Sequence, residues 1–308
     1  MKEIRRVGFV GLGRMGYPMA GHLARAGFEL RLYDVRLDIA RAFVAEHGGT
    51  VAENITAVGE TADAVITMLP TSSDVRAVVL GDNGKGGVAG GLGPGSVIID
   101  MGTSDPVQTR ILGDALHQLD IHLVDAPVSG GVVYAKDASL DIMTGGAPEV
   151  VARCRPVFEV LGRHIHDCGE LGNAHAMKVI NNFVNATSLI TLIEALSVGR
   201  RLGLDLDMML ESIAAATTER NHPLAKKVIP HVLSRRFDAG ASISLIAKDV
   251  GIAVSSAKAL DAFAPVAECC GSLWDSAAAH CGGERDQTEI VRMWEDHNGV
   301  KLEYDVQE

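Results

Sequence analysis

The sequence predicts a two-domain α/β chain, in which a doubly wound, mostly parallel sheet over residues 1–169 precedes an all-helical domain over residues 170–308. Three observations carry this expectation. Short β-rich runs alternate with helical patterns through the first half, the mark of βαβ units and a parallel sheet. The alternation stops at Gly172, beyond which helical patterns follow one another. The 308 residues, 47% hydrophobic and 22% charged, also suffice for two folded domains with sizeable cores.

In chain order the strand candidates are VGFVG (7–11), ELRLYD (29–34), DAVITMLP (63–70), SVIIDM (96–101) and IHLVDAP (121–127). LDIMTGG (140–146) and RHIHDCG (163–169) are expected to follow, with a helix from Pro148 to Leu161 between them. The glycine-rich stretch from Gly81 to Gly95 reads as a surface loop. After Gly172 the chain runs without Pro or Gly until Gly199, which predicts one long, mostly buried helix of about eight turns. DLDMMLESIAAA, PLAKKVIPHVLSRR, ISLIAKDVGIAVSSAKAL and PVAECCGSLWDSAAAHC all read as further helices.

Charge narrows the partners. With 28 Lys and Arg against 39 Asp and Glu, the net charge of −11 repels phosphate backbones and anionic lipid, so no nucleic acid and no membrane is expected. The apolar run near the N-terminus is broken at Gly8, Gly11 and Gly13, which leaves no signal-peptide core, and no segment is long and apolar enough to span a bilayer. Five cysteines, an odd number with no CxxC, read as reduced thiols of a cytoplasmic protein.

Gly11, Gly13 and Gly16 form GxGxxG between the first strand and the helical run MGYPMAGHLARAG. The first glycine permits the turn, the second lets the backbone approach a pyrophosphate, and the third allows close helix-to-strand packing. Amides at the helix start then face the phosphates. The second strand ends in Asp34, whose carboxylate can accept hydrogen bonds from an adenosine ribose. Strand, turn, helix, strand and acid in this order predict a Rossmann-type, dinucleotide-binding domain. Arg14 and Met15 in the turn, and Leu69 and Pro70 after the third strand, are further cofactor-binding candidates. Asp34 would repel a 2′-phosphate and so favours NAD, with Val35 directly after it; Arg36 keeps NADP possible, although a solvated loop cation is its simpler reading.

Two other clusters suit substrate chemistry. Ser129, Gly130 and Gly131 follow a strand, where small residues can expose backbone amides to a carboxylate, or can simply make a glycine turn. Lys178 and Asn182 lie four apart on the long helix and project from one face, either toward one substrate or as a lysine snorkelling to solvent beside a backbone-bonded asparagine.

The segments GFVGLGRMGYPMAGHLARAG, DAPVSGG (125–131), GNAHAMKVINN (172–182) and AKD (247–249) after Phe237 together resemble the β-hydroxyacid dehydrogenase family, in order and spacing, across nearly the whole chain. The resemblance implies an NAD-dependent oxidoreductase moving a hydride between the cofactor and the β-hydroxyl carbon of a small 3-hydroxy acid or its semialdehyde. It further implies that Lys178 is the catalytic acid/base, that Ser129, Gly130, Gly131 and Asn182 bind substrate, and that Thr103 and Lys248 contact the cofactor. Without it, Thr103 would be a helix cap ahead of Pro106 and Lys248 a surface lysine. The family's DMST reads DMGT here, with Gly102 for serine; Ala174 stands where glycine is usual; and an aromatic common before the late lysine is missing around Ala241.

His175, three residues before Lys178, could relay protons but reads as structural, and no metal-ligand spacing accompanies it, so no metal is expected. Imine reduction, sugar-acid decarboxylation and a non-catalytic NAD(P)-binding module are the competing readings; Lys178, chain length and the joint presence of Lys178, Asn182 and Ser129 to Gly131 count against them in turn. The apolar run over 179–199 exceeds what a small helical domain covers, which predicts a homodimer or homotetramer. Arg220, Asn221 and His222 suggest a polar or acidic substituent on the substrate's α-carbon, although all three could instead face solvent.

Overall fold

The computed structural model describes residues 3–82, 85–201, 203–216, 223–261 and 264–304. The chain divides into two compact units, Met1–Lys178 and Val179–Glu308.

In the first unit, β1 (Arg6–Val10), β2 (Glu29–Tyr33), β3 (Thr50–Val51), β4 (Ala64–Thr67), β7 (Val97–Asp100) and β8 (His122–Asp125) form one parallel sheet in the order β3-β2-β1-β4-β7-β8. Every residue of β4 and β7 is buried, as expected of strands covered on both faces. The connecting helices are α1 (Gly16–Arg25), α2 (Leu37–His47), α3 (Ile55–Gly59), α4 (Ser72–Leu80) and α5 (Pro106–His117). Strand order reverses between β1 and β4, and in open α/β sheets ligands bind in the crevice beyond the carboxyl ends at that point. A second sheet follows, with β9 (Val128–Ser129) antiparallel and β11 (Gly162–Asp167) parallel to β10 (Leu140–Thr144). Helix α6 (Gly131–Lys136) precedes β10, and α7 (Pro148–Leu161) spans the predicted residues.

The stretch read as a surface loop carries more structure than that. A hairpin of β5 (Gly81–Asp82) and β6 (Lys85–Gly86) leads into a 3-10 turn, Val88–Gly91, that buries Val88 and Ala89. Its glycines allow that packing: a Cβ on Gly91 would lie 2.1 Å from the Thr56 carbonyl oxygen.

The long helix α8 runs from Asn173 to Arg201, so Gly199 does not end it. It is less buried than expected, with Met177, Ile180 and Val184 exposed. In the second unit, α9 (Leu206–Ala216), α10 (Ile243–Ala259), α11 (Pro265–Cys281) and α12 (Val291–Asn298) contribute to one hydrophobic core that includes the buried Trp274 of α11. Leu224–Leu233, expected as an ordinary helix, is a π-helix containing Pro230. Proline has no amide to donate and its ring crowds the preceding turn, so a widened turn relieves both. Near the C-terminus the fully buried Glu295 side chain ion-pairs with Arg235, accepts the Leu302 amide at 2.8 Å and meets Lys301 at 3.3 Å. Burial alone would raise that carboxyl, but Arg235, the amide and Lys301 outweigh it and hold it below its ordinary value. Among the described residues, no helix is long and apolar enough to cross a membrane.

Candidate active site

The glycines of the first turn do different jobs. Gly11 has φ +96°, and a Cβ there would lie 2.4 Å from the Met68 carbonyl oxygen; a Cβ on Gly16 would lie 1.9 Å from the Gly11 carbonyl oxygen. Both are demanded by the protein's own packing, Gly11 by the turn beside β4 and Gly16 by the seat of α1 on that turn. A Cβ on Gly13 would touch no protein atom within 4 Å. A pyrophosphate approaching the backbone would account for glycine there. Helix α1 opens at Met15 with no side-chain cap; the Tyr17 amide donates to the Gly13 carbonyl at 3.0 Å and Pro18 has no amide hydrogen, so in the first turn the Gly16 amide is the one placed to meet an anion. Met15 is half-buried and Arg14 exposed.

Asp34, at the end of β2, is 7% exposed. Its Oδ2 accepts the Leu12 amide at 2.8 Å and its Oδ1 the Arg36 amide at 2.9 Å. Two backbone donors thus fix the carboxylate beside the glycine turn, and each oxygen keeps a lone pair for a ribose hydroxyl. Val35 is exposed; the Arg36 guanidinium lies 3.9 Å from Asp34 and is largely solvated. The residues fit an adenosine dinucleotide.

Leu69 and Gly102 lie close to this turn. Leu69 Cδ2 would be 3.1 Å from a Cβ on Gly11, and a Cβ on Gly102 would be 2.8 Å from the Leu69 carbonyl oxygen. The departure at Gly102 therefore has a local reason: a serine there would press on Leu69, whereas the Gly102 amide donates to Asp100 at 3.1 Å. Pro70 is exposed and Thr103 half-buried. Thr103 is not the cap of α5. Asp105 fills that role, accepting the Val107 amide at 2.7 Å.

Ser129 ends β9, and the two glycines after it start α6 instead of turning into the next strand. Gly130 has φ +120° and a Cβ on it would strike Tyr134 at 2.7 Å; Gly131 has φ +72° with open space around it. Gly130 is thus a packing requirement, and the Gly131 backbone is approachable.

Lys178 is 8% exposed. One turn along α8, Asn182 Nδ2 donates to Asp249 Oδ2 at 2.7 Å. The Lys248 ammonium lies 2.8 Å from Asp249 Oδ1. Asp249, 5% exposed, therefore gathers Asn182 and Lys248, two predicted site residues almost 70 positions apart. Sequence reasoning gave it no role, although it is the acid of the AKD segment. It also missed a buried cluster of Asp100, Ser104, Thr109, Asp125 and His175 where β7, β8 and α8 meet. His175 is completely buried within it.

Comparison with known proteins matches this architecture. Residues 6–169 match the NAD binding domain of 6-phosphogluconate dehydrogenase, and residues 172–294 the family described as NAD-binding of NADP-dependent 3-hydroxyisobutyrate dehydrogenase. The chain is 31% identical to 2-(hydroxymethyl)glutarate dehydrogenase of Eubacterium barkeri, covering 98% of this chain and 99% of that one. It is 30% identical to the NAD-dependent L-serine dehydrogenase of Pseudomonas aeruginosa, covering 96% and 100%. Among solved structures, 3-hydroxyisobutyrate dehydrogenase of Mycobacterium tuberculosis with L-serine superposes at TM-score 0.82 and 30% identity, covering 94% and 99%. With a glycine turn shaped for a dinucleotide and these likenesses along almost the full chain, the protein belongs to the β-hydroxyacid dehydrogenase family of NAD(P)-dependent oxidoreductases.

Proposed function

We propose that the protein interconverts a small 3-hydroxy acid and its semialdehyde with NAD, and that Lys178 is the general acid/base. The observation that carries this reading is a lysine 8% exposed on α8, followed one turn later by an asparagine already oriented by a buried carboxylate. A lysine amine can take and return a proton, and held largely out of water on a fixed helix its Nζ is kept where a substrate hydroxyl can meet it. When bound, the nicotinamide takes or supplies the hydride. In oxidation Lys178 Nζ takes the hydroxyl proton as the C–H bond breaks; in reduction it returns that proton to the new alkoxide oxygen. Asn182, its amide turned by Asp249, orients the substrate, and Ser129 with the Gly130 and Gly131 backbone receives the carboxylate. Lys248 is assigned to the cofactor on the family resemblance. In this reading residues 1–169 hold the dinucleotide, with Gly11, Gly13, Arg14, Met15, Gly16, Asp34, Leu69, Pro70 and Thr103 around it, and residues 170–308 serve substrate and assembly.

The substrates named for the relatives, 3-hydroxyisobutyrate, L-serine and 2-(hydroxymethyl)glutarate, share a hydroxymethyl group on a carbon bearing a carboxylate. That shared unit is the proposed substrate core. A polar or acidic substituent on the α-carbon stays our preference; Arg220, Asn221 and His222, which suggested it, lie outside the described residues. The test is a panel of 3-hydroxyisobutyrate, serine, 2-(hydroxymethyl)glutarate and their semialdehydes, assayed with NAD(H) and NADP(H). The fixed carboxylate of Asp34 predicts a higher kcat/KM with NAD; preference for NADP would transfer the cofactor decision to Arg36. If no compound on the panel is turned over, the proposed substrate core is wrong.

We also infer a cytoplasmic homodimer or homotetramer. Met177, Ile180 and Val184, 43, 55 and 56% exposed, line one stripe of α8 in a chain whose five cysteines are free thiols. Light scattering should return at least a dimer at micromolar concentration, and a stable monomer would contradict the inference.

A further inference from the structure

The cluster around His175 is built from two buried acids. Asp100 and Asp125 are register partners at the carboxyl ends of β7 and β8, 2% and 0% exposed. Buried carboxylates are costly unless hydrogen-bonded, and both are supplied with donors. Asp100 accepts Thr67 Oγ1 at 3.1 Å, the Gly102 amide at 3.1 Å and Ser104 Oγ at 2.7 Å. Asp125 accepts the amides of Gly172 and His175, each at 2.8 Å. Asp125 thereby caps the start of α8, a strand end gripping a helix end from about 50 residues away.

The His175 ring fills the space between the acids. Its Nε2 lies 3.7 Å from Asp100 Oδ2 and its Nδ1 3.9 Å from Asp125 Oδ2. Nδ1 is 2.8 Å from Thr109 Oγ1 on α5, and Thr109 gives its own hydroxyl hydrogen to the Asp105 carbonyl at 3.0 Å. Thr109 has one hydrogen to give, so toward His175 it accepts and Nδ1 carries the donated proton. A ring wedged at zero exposure and bonded to a neighbouring helix fixes both the rotation of the first turn of α8 and its height above the sheet. Lys178 follows three residues later on that same face.

We propose that His175 is a positioning residue for Lys178: its Nδ1–H to Thr109, together with Asp125 on its amide, sets where the lysine ammonium stands. The inference rests on the reading of Lys178 as the acid/base. A displacement near 1 Å at a reacting group can cost about a hundredfold in rate, so loosening this seat should be read in kcat and not in cofactor affinity.

The experiment compares His175→Leu, His175→Asn, Thr109→Val and Lys178→Ala using the fastest compound of the panel above, with NADH affinity followed by its fluorescence and thermal unfolding measured alongside. His175→Leu and Thr109→Val should each lower kcat by about tenfold to a hundredfold, with NADH Kd within about twofold of the parent. His175→Asn, whose amide can stand in for Nδ1–H, should recover most of the rate, and the His175→Leu, Thr109→Val double variant should be no worse than the poorer single one. Normal kcat in Thr109→Val, or equal impairment of His175→Asn and His175→Leu, would overturn the proposal. So would a rate loss matched by an equal loss of NADH affinity, the mark of general damage. If His175→Leu does not fold, Thr109→Val against His175→Asn decides alone. An inactive Lys178→Ala beside fully active seat variants refutes only the positioning role; an active Lys178→Ala refutes both readings.

Discussion

Replacing Lys178 by alanine should lower kcat by about 10² to 10⁴ while NAD still binds, because the lysine is assigned to the reacting hydroxyl and the dinucleotide is held by other residues. Single-turnover measurement of hydride transfer, with NADH Kd measured separately, checks both halves. Asn182→Ala should lose less, since its amide supplies geometry and changes no charge. It would also strip a donor from Asp249, so part of its cost should register as lower stability. Near-normal turnover by Lys178→Ala would remove the acid/base assignment, and Asn182 would then have to be reconsidered with it.

The second large effect separates two glycines of one motif. Gly16→Ala places a methyl 1.9 Å from the Gly11 carbonyl oxygen, so α1 must lift off the turn. A cost of about 1–3 kcal/mol or more is expected, seen as a Tm lower by roughly 2–4 °C per kcal/mol. Gly13→Ala meets no protein atom within 4 Å and needs no left-handed backbone, so its Tm should match the parent. Its methyl would instead hold a pyrophosphate off the backbone and weaken NAD binding by about tenfold, or ~1.4 kcal/mol. Calorimetry for stability and fluorescence titration for NADH read the two effects independently. Equal affinity losses with equal Tm losses would mean that Gly13, like Gly16, is only a packing glycine.

These predictions draw on information of two kinds. β1, β2, β4, β7, β8 and β10 were legible because each is a short apolar run bounded by turn residues, and α7, α8 and α11 because helical periodicity there persists between clear breaks. β3 and β9 were missed, because two residues are too few to show an alternation. Helix α6 was missed: six residues are too few for a period to register, and the glycines before it read as a turn. The π-helix was read as an ordinary helix because its apolar spacing is helical, and the widened turn depends on how Pro230 is accommodated. The hairpin and buried 3-10 turn inside Gly81 to Gly95 were hidden because glycines that permit tight packing look the same, in sequence, as glycines of an open loop.

What the sequence by itself determined is local: the glycine turn, the acid at the end of the next strand, and a lysine and an asparagine one turn apart on a long helix. Each depends on covalent spacing and a single element's period, which a string of residues carries in full. Tertiary structure decided the partners. Asp249 joins Asn182 to Lys248, and His175 is clasped by Asp100, Thr109 and Asp125 from strands and a helix 50 to 75 positions away. Aspartate, threonine and histidine at such separations have no period to betray them. Burial, which makes each unmet hydrogen bond costly, requires their meeting, and burial exists only once the chain has folded.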